Sequence, residues 1–393
     1  MPGTKLPLLR ADGTGCGSTG LPTAPLDVPE PAGPDGETGN RLGLNVTMQC
    51  PLRCDFCCYS CHPKRTERMP VELAIDLVRQ AARLGVFTDV AFTGGEPFLW
   101  FDELLAVSEV LLEVGMPFYA VSSGHWGADG DEAVNIVKTL AGRGMRKLSL
   151  STDPSHARFV PPTSVVNAAL AAAGEGLKVH VTGAFVDPSA SLEAFVPALV
   201  GIPNVTLTTQ RVAPAGRGRK QRAAWERRCE GTVEQVRCYR PVYHDVVFFW
   251  DGDAYPCCSV FNREIDGIRL GNAYEDSLKT LWERAEGSML LRVMKRAGFQ
   301  HLYDVLVDLD PTLARRLPPL DPSVGACRLC RDIFSDVELA RDIRNTLLAY
   351  ERRSVDALLK SLEGDFGAAT AVAIVRSALA WTGDRSDERQ QPA

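Results

Sequence analysis

Residues 42–57 read LGLNVTMQCPLRCDFC: an apolar strand, Leu42 to Thr47, runs into three cysteines, Cys50, Cys54 and Cys57, spaced Cys-x3-Cys-x2-Cys. Thiolates are soft ligands whose pKa falls beside a metal or a positive charge, which suits them to iron-sulfur clusters or to zinc. Three of them leaving one strand end within eight residues can grip a single centre. If that centre is a cubane, three protein ligands leave one iron open to a cofactor or substrate. A tetrahedral zinc site is the competing reading, because closely spaced cysteines often hold zinc.

Outward from this stretch, short apolar runs alternate with amphipathic helical periods. Helices over 70–84, 101–114, 131–143 and 163–173, and one near 190–200, separate strands at Val90 to Thr93, Phe118 to Ser122, Lys147 to Ser151, Lys178 to Val186 and Val205 to Val212. With the first strand this predicts an α/β fold, a partial, TIM-like (β/α)6 barrel over 41–220, with its site at the C-terminal ends of the strands. Residues 211–228 hold seven Arg or Lys against one acid, with two Gly and one Pro, and read as an exposed connection with a domain boundary near 220. A small cysteine-rich domain is expected over 221–335, with a hairpin of Asp245 to Trp250 and Ala254 to Val260 turning at Asp251-Gly252-Asp253. A helical segment follows over 336–393, with periods at Asp336 to Ala349 and Val355 to Leu362 and an Ala-rich stretch near 367–380. Residues 1–40, with eight Gly and seven Pro and no apolar period, read as a flexible arm, and Cys16 within it as a free thiol.

The second strand ends in Thr93-Gly94-Gly95-Glu96-Pro97, where two residues without side chains let a ligand approach the backbone and the proline fixes the turn. The cysteine triad with aromatic Phe56 before its third member, followed by this GGEP at the next strand end, resembles the radical S-adenosylmethionine (SAM) superfamily. The resemblance implies that Cys50, Cys54 and Cys57 hold a [4Fe-4S] cluster and that S-adenosylmethionine binds its open iron. It also implies cofactor contacts: Phe56 near the adenine, and Gly94, Gly95, Glu96 and Pro97 at the methionine amino group. Ser122, Ser123, Ser151 and Asp153, at the third and fourth strand ends, would face the carboxylate and ribose, and Thr182 and Val212 the adenine.

Farther along, Cys238-x13-Gly252-x4-Cys257, then Cys327-x2-Cys330, is similar to the auxiliary-cluster domains of that superfamily, SPASM and its shortened form, twitch. A full SPASM domain needs three more cysteines after Cys330; none exists, so the resemblance implies one auxiliary [4Fe-4S] cluster held by Cys238, Cys257, Cys327 and Cys330. Cys257 is preferred over Cys258, because neighbours on an extended strand point to opposite faces. A zinc ribbon is the alternative there. Cys58 and Cys61 read as packed or free thiols, and His156, three residues past Asp153, as a hydrogen-bonding residue.

The implied activity is generation of a 5'-deoxyadenosyl radical and net oxidative modification of a ribosomally made peptide, as a thioether, a carbon-carbon crosslink or a dehydrogenation. An external electron donor of the flavodoxin or ferredoxin type is implied. A separate leader-binding protein is expected too, since the first 40 residues leave no room for a leader-binding domain. The rival readings are oxidation or rearrangement of a small metabolite and a non-catalytic zinc-binding interaction protein. Across 393 residues, 45% hydrophobic and 23% charged with a net charge of -6, nothing marks a basic face for nucleic acid. No uncharged apolar run reaches the eighteen residues of a membrane span, and no secretory signal opens the chain. A cytoplasmic location is expected, where twelve clustered cysteines serve metal better than disulfides.

Overall fold

The computed structural model describes residues 39–187, 189–221, 236–238, 243–321 and 325–374. Residues 1–38 of the arm, including Cys16, residues 222–228 of the basic run and the end of the Ala-rich stretch lie outside the described residues.

Six strands and their helices follow the alternation of the sequence: β1 (Asn40–Thr47), α1 (Val71–Leu84), β2 (Phe87–Gly94), α2 (Phe101–Glu113), β3 (Phe118–Ser122) and α3 (Gly130–Gly142). They continue with β4 (Met145–Ser151), α4 (Pro162–Gly174), β5 (Lys178–Phe185), α5 (Leu192–Phe195) and β6 (Val205–Arg211). The strands pair in parallel in chain order, β1 to β6, so each helix crosses over to the same face. Period-two alternation divides each strand between the two faces. Leu42 and Leu44 of β1 are fully buried in the core with Leu77 and Val78 of α1, Leu111 of α2 and Leu140 of α3.

The opposite face carries polar residues near the strand starts: Arg41 pairs with Asp89 at 2.6 Å and lies 4.5 Å over the Tyr119 ring, with the Lys147 ammonium 5.5 Å from the same ring. This ion-paired plug fills the strand starts and leaves the open space at their C-terminal ends. The predicted helix near 190–200 shrinks to the four residues of α5, because Pro197 removes a backbone donor and starts a separate 3-10 turn, Pro197–Leu199.

The sheet does not stop at the barrel. β7 (Asp245–Phe249) pairs in parallel with the outer edge of β1, and β8 (Asp253–Tyr255) and β9 (Gly271–Asn272) extend it antiparallel into one nine-stranded sheet. The hairpin turns where expected, but its second strand ends at Tyr255 because Pro256 cannot donate to the ladder. Helices follow: α6 (Leu278–Glu286), α7 (Met289–Arg292), α8 (Phe299–Leu309), α9 (Pro311–Ala314), α10 (Ala326–Phe334) and α11 (Val337–Phe366). Two expectations are corrected here. The periods at 336–349 and 355–362 are one helix, α11, since the residues between them include no Gly or Pro to break it. Helix also begins before Cys330 rather than after it, so Cys327 and Cys330 share one face of α10. Among the described residues, no helix is long and apolar enough to cross a membrane.

Candidate functional site

The C-terminal ends of β1 to β6 open onto one cavity of about 250 Å³. Cys50, Cys54, Phe56 and Cys57 line it from the loop after β1, and Gly94 and Gly95 from the end of β2. Ser122 and Ser123, Ser151 and Val212 face it from the ends of β3, β4 and β6. Cys58 and Cys61 line it too. The loop is shaped by tight turns, with Cys57 N donating to the Cys54 carbonyl (3.3 Å), Ser60 N to the Cys57 carbonyl (3.2 Å) and Cys50 N to the His62 carbonyl (3.4 Å). Gly95 packs against the backbone of this loop so closely that a Cβ would run into the Gln49 carbonyl, and Glu96 N donates to that carbonyl at 2.8 Å. Glycine at 95 therefore lets the second strand end reach the thiols.

The thiols differ in their electrostatics. A hydrogen bond from Cys61 pulls Cys57 down to about 6 against its burial, helped by backbone amides and the Arg217 charge. Burial, then the charge of Glu96, raises Cys50. Burial also holds Cys58 up at about 12.

Four residues expected at the cofactor stand behind the cavity wall rather than in it: Glu96, Pro97, Asp153 and Thr182. Glu96 is fully buried, and its carboxylate accepts from Ser122 Oγ (2.9 Å), Ser123 N (2.7 Å), Ser123 Oγ (2.5 Å) and Phe98 N (3.2 Å). Burial pushes this carboxyl up, but the bonds from His125 and Ser123 outweigh it and leave the pKa below the ordinary 4.5. Glu96 thus fixes the two serines that face the cavity. Its charge contributes stability above pH 4.5 that is lost as the pH falls through the lower folded value. Glu96→Gln turns an acceptor into a donor that faces donors, so a loss of about 3 kcal/mol is expected at pH 7. Melting curves of the variant and the parent are expected to converge as the pH falls below 4.5.

Asp153 is similarly occupied, accepting from the backbone of Ser155 (2.9 Å), His156 (3.0 Å) and Ala184 (3.2 Å) and holding His156 Nδ1 at 2.6 Å. It is His156 that faces the cavity, its ring centroid 6.1 Å from Phe56. Burial lowers the imidazole, but bonds to Asp153 and to the Cys54 sulfur dominate and raise it to about 10. Thr182 lies inside the sheet, its hydroxyl 3.5 Å from the Leu150 carbonyl, and Pro97 lines a separate small pocket with Trp100.

The reading of residues from 211 onward as an exposed connection is corrected for the part described. Ala215 and Gly218 are buried, and Arg217 lies against the cysteine loop and lines the cavity with Arg211. The signal in the sequence was Gly216-Arg217-Gly218, two residues without side chains around one cation, which marks close packing as readily as a linker.

A second, smaller cavity of about 50 Å³ is lined by Cys238, Cys257, Cys327 and Cys330 among apolar walls that include Leu291, Met294 and Phe299. Burial, then the neighbouring thiols, raises Cys257 and Cys330 well above the ordinary range and Cys327 to about 11. Cys258 is exposed. Tyr59 connects the two regions, its hydroxyl donating at 2.9 Å to the carbonyl of Ser259, which lines the smaller cavity. Among the described residues, no three His, Cys, Asp or Glu side chains are arranged to hold a single metal ion. The donor set suits clusters instead: three thiols beside the Gly94-Gly95 backbone in one cavity, four thiols in an apolar pocket in the other.

A parallel partial barrel with a three-thiol loop at its mouth, joined edge to edge with a four-thiol segment, defines an enzyme class built on thiolate-bound iron-sulfur chemistry. Residues 44–156 match the Radical SAM superfamily and residues 238–301 match the iron-sulfur cluster-binding domain SPASM, so the chain carries a Radical SAM domain and a SPASM domain. Those domains imply iron-sulfur clusters and S-adenosylmethionine binding. The chain is 25% identical, over 76% of its length and 92% of the relative's, to YydG of Bacillus subtilis (strain 168), whose name assigns it to peptide biosynthesis. Among solved structures it is similar to Streptococcus suis SuiB bound to S-adenosylmethionine (15% identity, TM-score 0.41), covering 62% of this chain and 65% of that one. It is similar also to BtrN in complex with AdoMet and 2-DOIA (15% identity, TM-score 0.40), covering 66% of this chain and 89% of that one.

Proposed function

We propose that the chain is an oxidoreductase that uses a 5'-deoxyadenosyl radical to modify a ribosomally made peptide. The observation that carries this reading is the single cavity shared by Cys50, Cys54, Cys57 and the Gly94-Gly95 backbone at the strand ends. When bound there, a [4Fe-4S] cluster with one open iron would supply the electron that splits the sulfonium of S-adenosylmethionine into methionine and the radical, which takes a hydrogen atom from a substrate carbon.

The chain's own residues hold and shield that chemistry. Cys50, Cys54 and Cys57 are the cluster ligands. Ser151 offers a hydroxyl to the polar end of the cofactor, and Ser122 and Ser123, whose hydroxyls Glu96 holds, form the polar wall beside it. Phe56 and Val212 give an apolar wall to its base, and His156 lies beside Phe56 as a fixed donor. Orienting the reactants in this way is worth far more than any single contact, since a near-attack geometry removes translational and rotational freedom in advance. Cys238, Cys257, Cys327 and Cys330 are the ligands of one auxiliary cluster, which fits removal of a second electron from the substrate and hence net oxidation. The likeness to a relative named for peptide biosynthesis supports a peptide as substrate. A flavodoxin- or ferredoxin-type protein would deliver the first electron, and a separate protein would present the peptide's leader.

The test is iron and sulfide analysis after anaerobic reconstitution, then incubation with dithionite and S-adenosylmethionine. About eight iron atoms per chain and release of 5'-deoxyadenosine are expected, with deuterium passing from a labelled peptide into the 5'-deoxyadenosine. Tightly bound zinc without iron would overturn the assignment, and deuterium transfer only from a small metabolite would overturn the peptide.

A further inference from the structure

After β6 the chain doubles back as a 3-10 turn, Gly216–Lys220, that lies across the three-cysteine loop. Arg217 makes three hydrogen bonds to that loop. Its Nε donates to the Cys54 carbonyl and its Nη2 to the Cys61 carbonyl, both at 2.7 Å, while its backbone N donates to the Cys57 carbonyl at 3.0 Å. One residue therefore holds three carbonyls that bracket the turn carrying Cys57. Gly216 makes the approach possible: its φ is +51°, and a Cβ there would strike the carbonyls of Cys57 and Cys58.

We propose that Arg217 is the positioning residue of the cluster-binding loop, its planar fork fixing the spacing of the thiols and its charge favouring the more reduced state of the centre they hold. The inference rests on the reading of Cys50, Cys54 and Cys57 as cluster ligands. Other ties reach the loop at single points, Ser155 Oγ accepting from Asp55 N at 2.8 Å and Tyr59 donating to the Ser259 carbonyl at 2.9 Å, whereas Arg217 bridges carbonyls on both sides of Cys57. A guanidinium spans two carbonyls at a fixed separation with its planar fork, whereas an ammonium is a compact, rotatable point charge that cannot hold that spacing. The guanidinium also lines the cavity of the triad, where a fixed cation lowers the energy of added negative charge.

The two parts of the proposal separate by substitution in the full, anaerobically reconstituted chain. The SAM-binding cluster is followed by the electron paramagnetic resonance signal that changes on adding S-adenosylmethionine. Arg217→Met is expected to lose that signal to a chelator several-fold faster than the parent and to shift its reduction potential downward. Arg217→Lys should restore the potential but not the retention. Gly216→Ala, which lifts the turn but keeps the charge, should share the fast loss with a smaller shift in potential. Parent-like retention in both Arg217→Lys and Gly216→Ala overturns the positioning role, and a parent-like potential in Arg217→Met overturns the electrostatic one. A parent chain with no S-adenosylmethionine-responsive signal sinks the cluster reading itself, whatever the variants do.

Discussion

Cys54→Ala is expected to abolish release of 5'-deoxyadenosine and to reduce the iron content by about four atoms per chain, one cubane. Cys54 is buried at the cavity and its sulfur bonds to His156, which Asp153 holds in place. Its carbonyl is gripped by Arg217. Alanine keeps the loop backbone, the Arg217 bond to the carbonyl of residue 54 and the Asp153–His156 pair, and removes only the sulfur with its contact to His156, so the loss reports the ligand and not the fold. Cys58 and Cys61 line the same cavity and are the natural candidates to replace a missing thiolate. The Cys61 thiol is already hydrogen-bonded to the Cys57 sulfur, and burial raises Cys58 to about 12. Neither is free to rescue Cys54. Iron analysis and product detection on Cys54→Ala, with Cys58→Ala as the parallel variant that keeps its iron, check the expectation. Full iron and unchanged 5'-deoxyadenosine in Cys54→Ala would contradict it.

The strand-helix alternation was legible because each half-buried element shows its period in the chain: Leu42 and Leu44 on β1, and Ala74, Leu77, Val78 and Ala81 on α1, mark their buried faces directly. The residues at the strand ends were legible for the same reason, since a loop after a parallel strand can point only to one end of the barrel. What periodicity cannot carry is the allocation of hydrogen bonds among neighbours. Glu96 and Asp153 read as cofactor contacts, yet each has its lone pairs filled by adjacent backbone and serine donors, and only pairing across β2, β3, β4 and β5 reveals it. Arg217 was hidden for a different reason. Its partners are carbonyls far back in the chain, at Cys54 and Cys61, and carbonyls leave no trace in a sequence. The continuity of β7 with β1 was equally invisible, because edge pairing between distant segments depends on where the barrel stays open.

Cys327→Ala is expected to divide the activity rather than end it: 5'-deoxyadenosine still forms, uncoupled from product, while the iron content falls by about four atoms. Cys327 and Cys330 sit one turn apart on α10 and face the pocket with Cys238 and Cys257. Removing one thiol from a four-thiol, apolar pocket leaves three, and burial pushes Cys257 and Cys330 well above the ordinary thiol range, an environment that no longer favours a charged centre. The triad cavity is built by the other strand ends and touches this pocket through Tyr59 and Ser259. Its own ligands are therefore expected to stay loaded, and reduction by dithionite should still release the radical. The substrate radical would then have no acceptor for its electron, so it returns to starting material or is quenched, and product falls much further than cofactor cleavage. The ratio of 5'-deoxyadenosine to modified peptide measures this: it should rise steeply in Cys327→Ala, at a position that lines the four-thiol pocket, and stay near the parental value in Cys258→Ala, at one that does not. Equal loss of both products in Cys327→Ala would mean that the second set of cysteines serves the fold of the barrel mouth and not the oxidation.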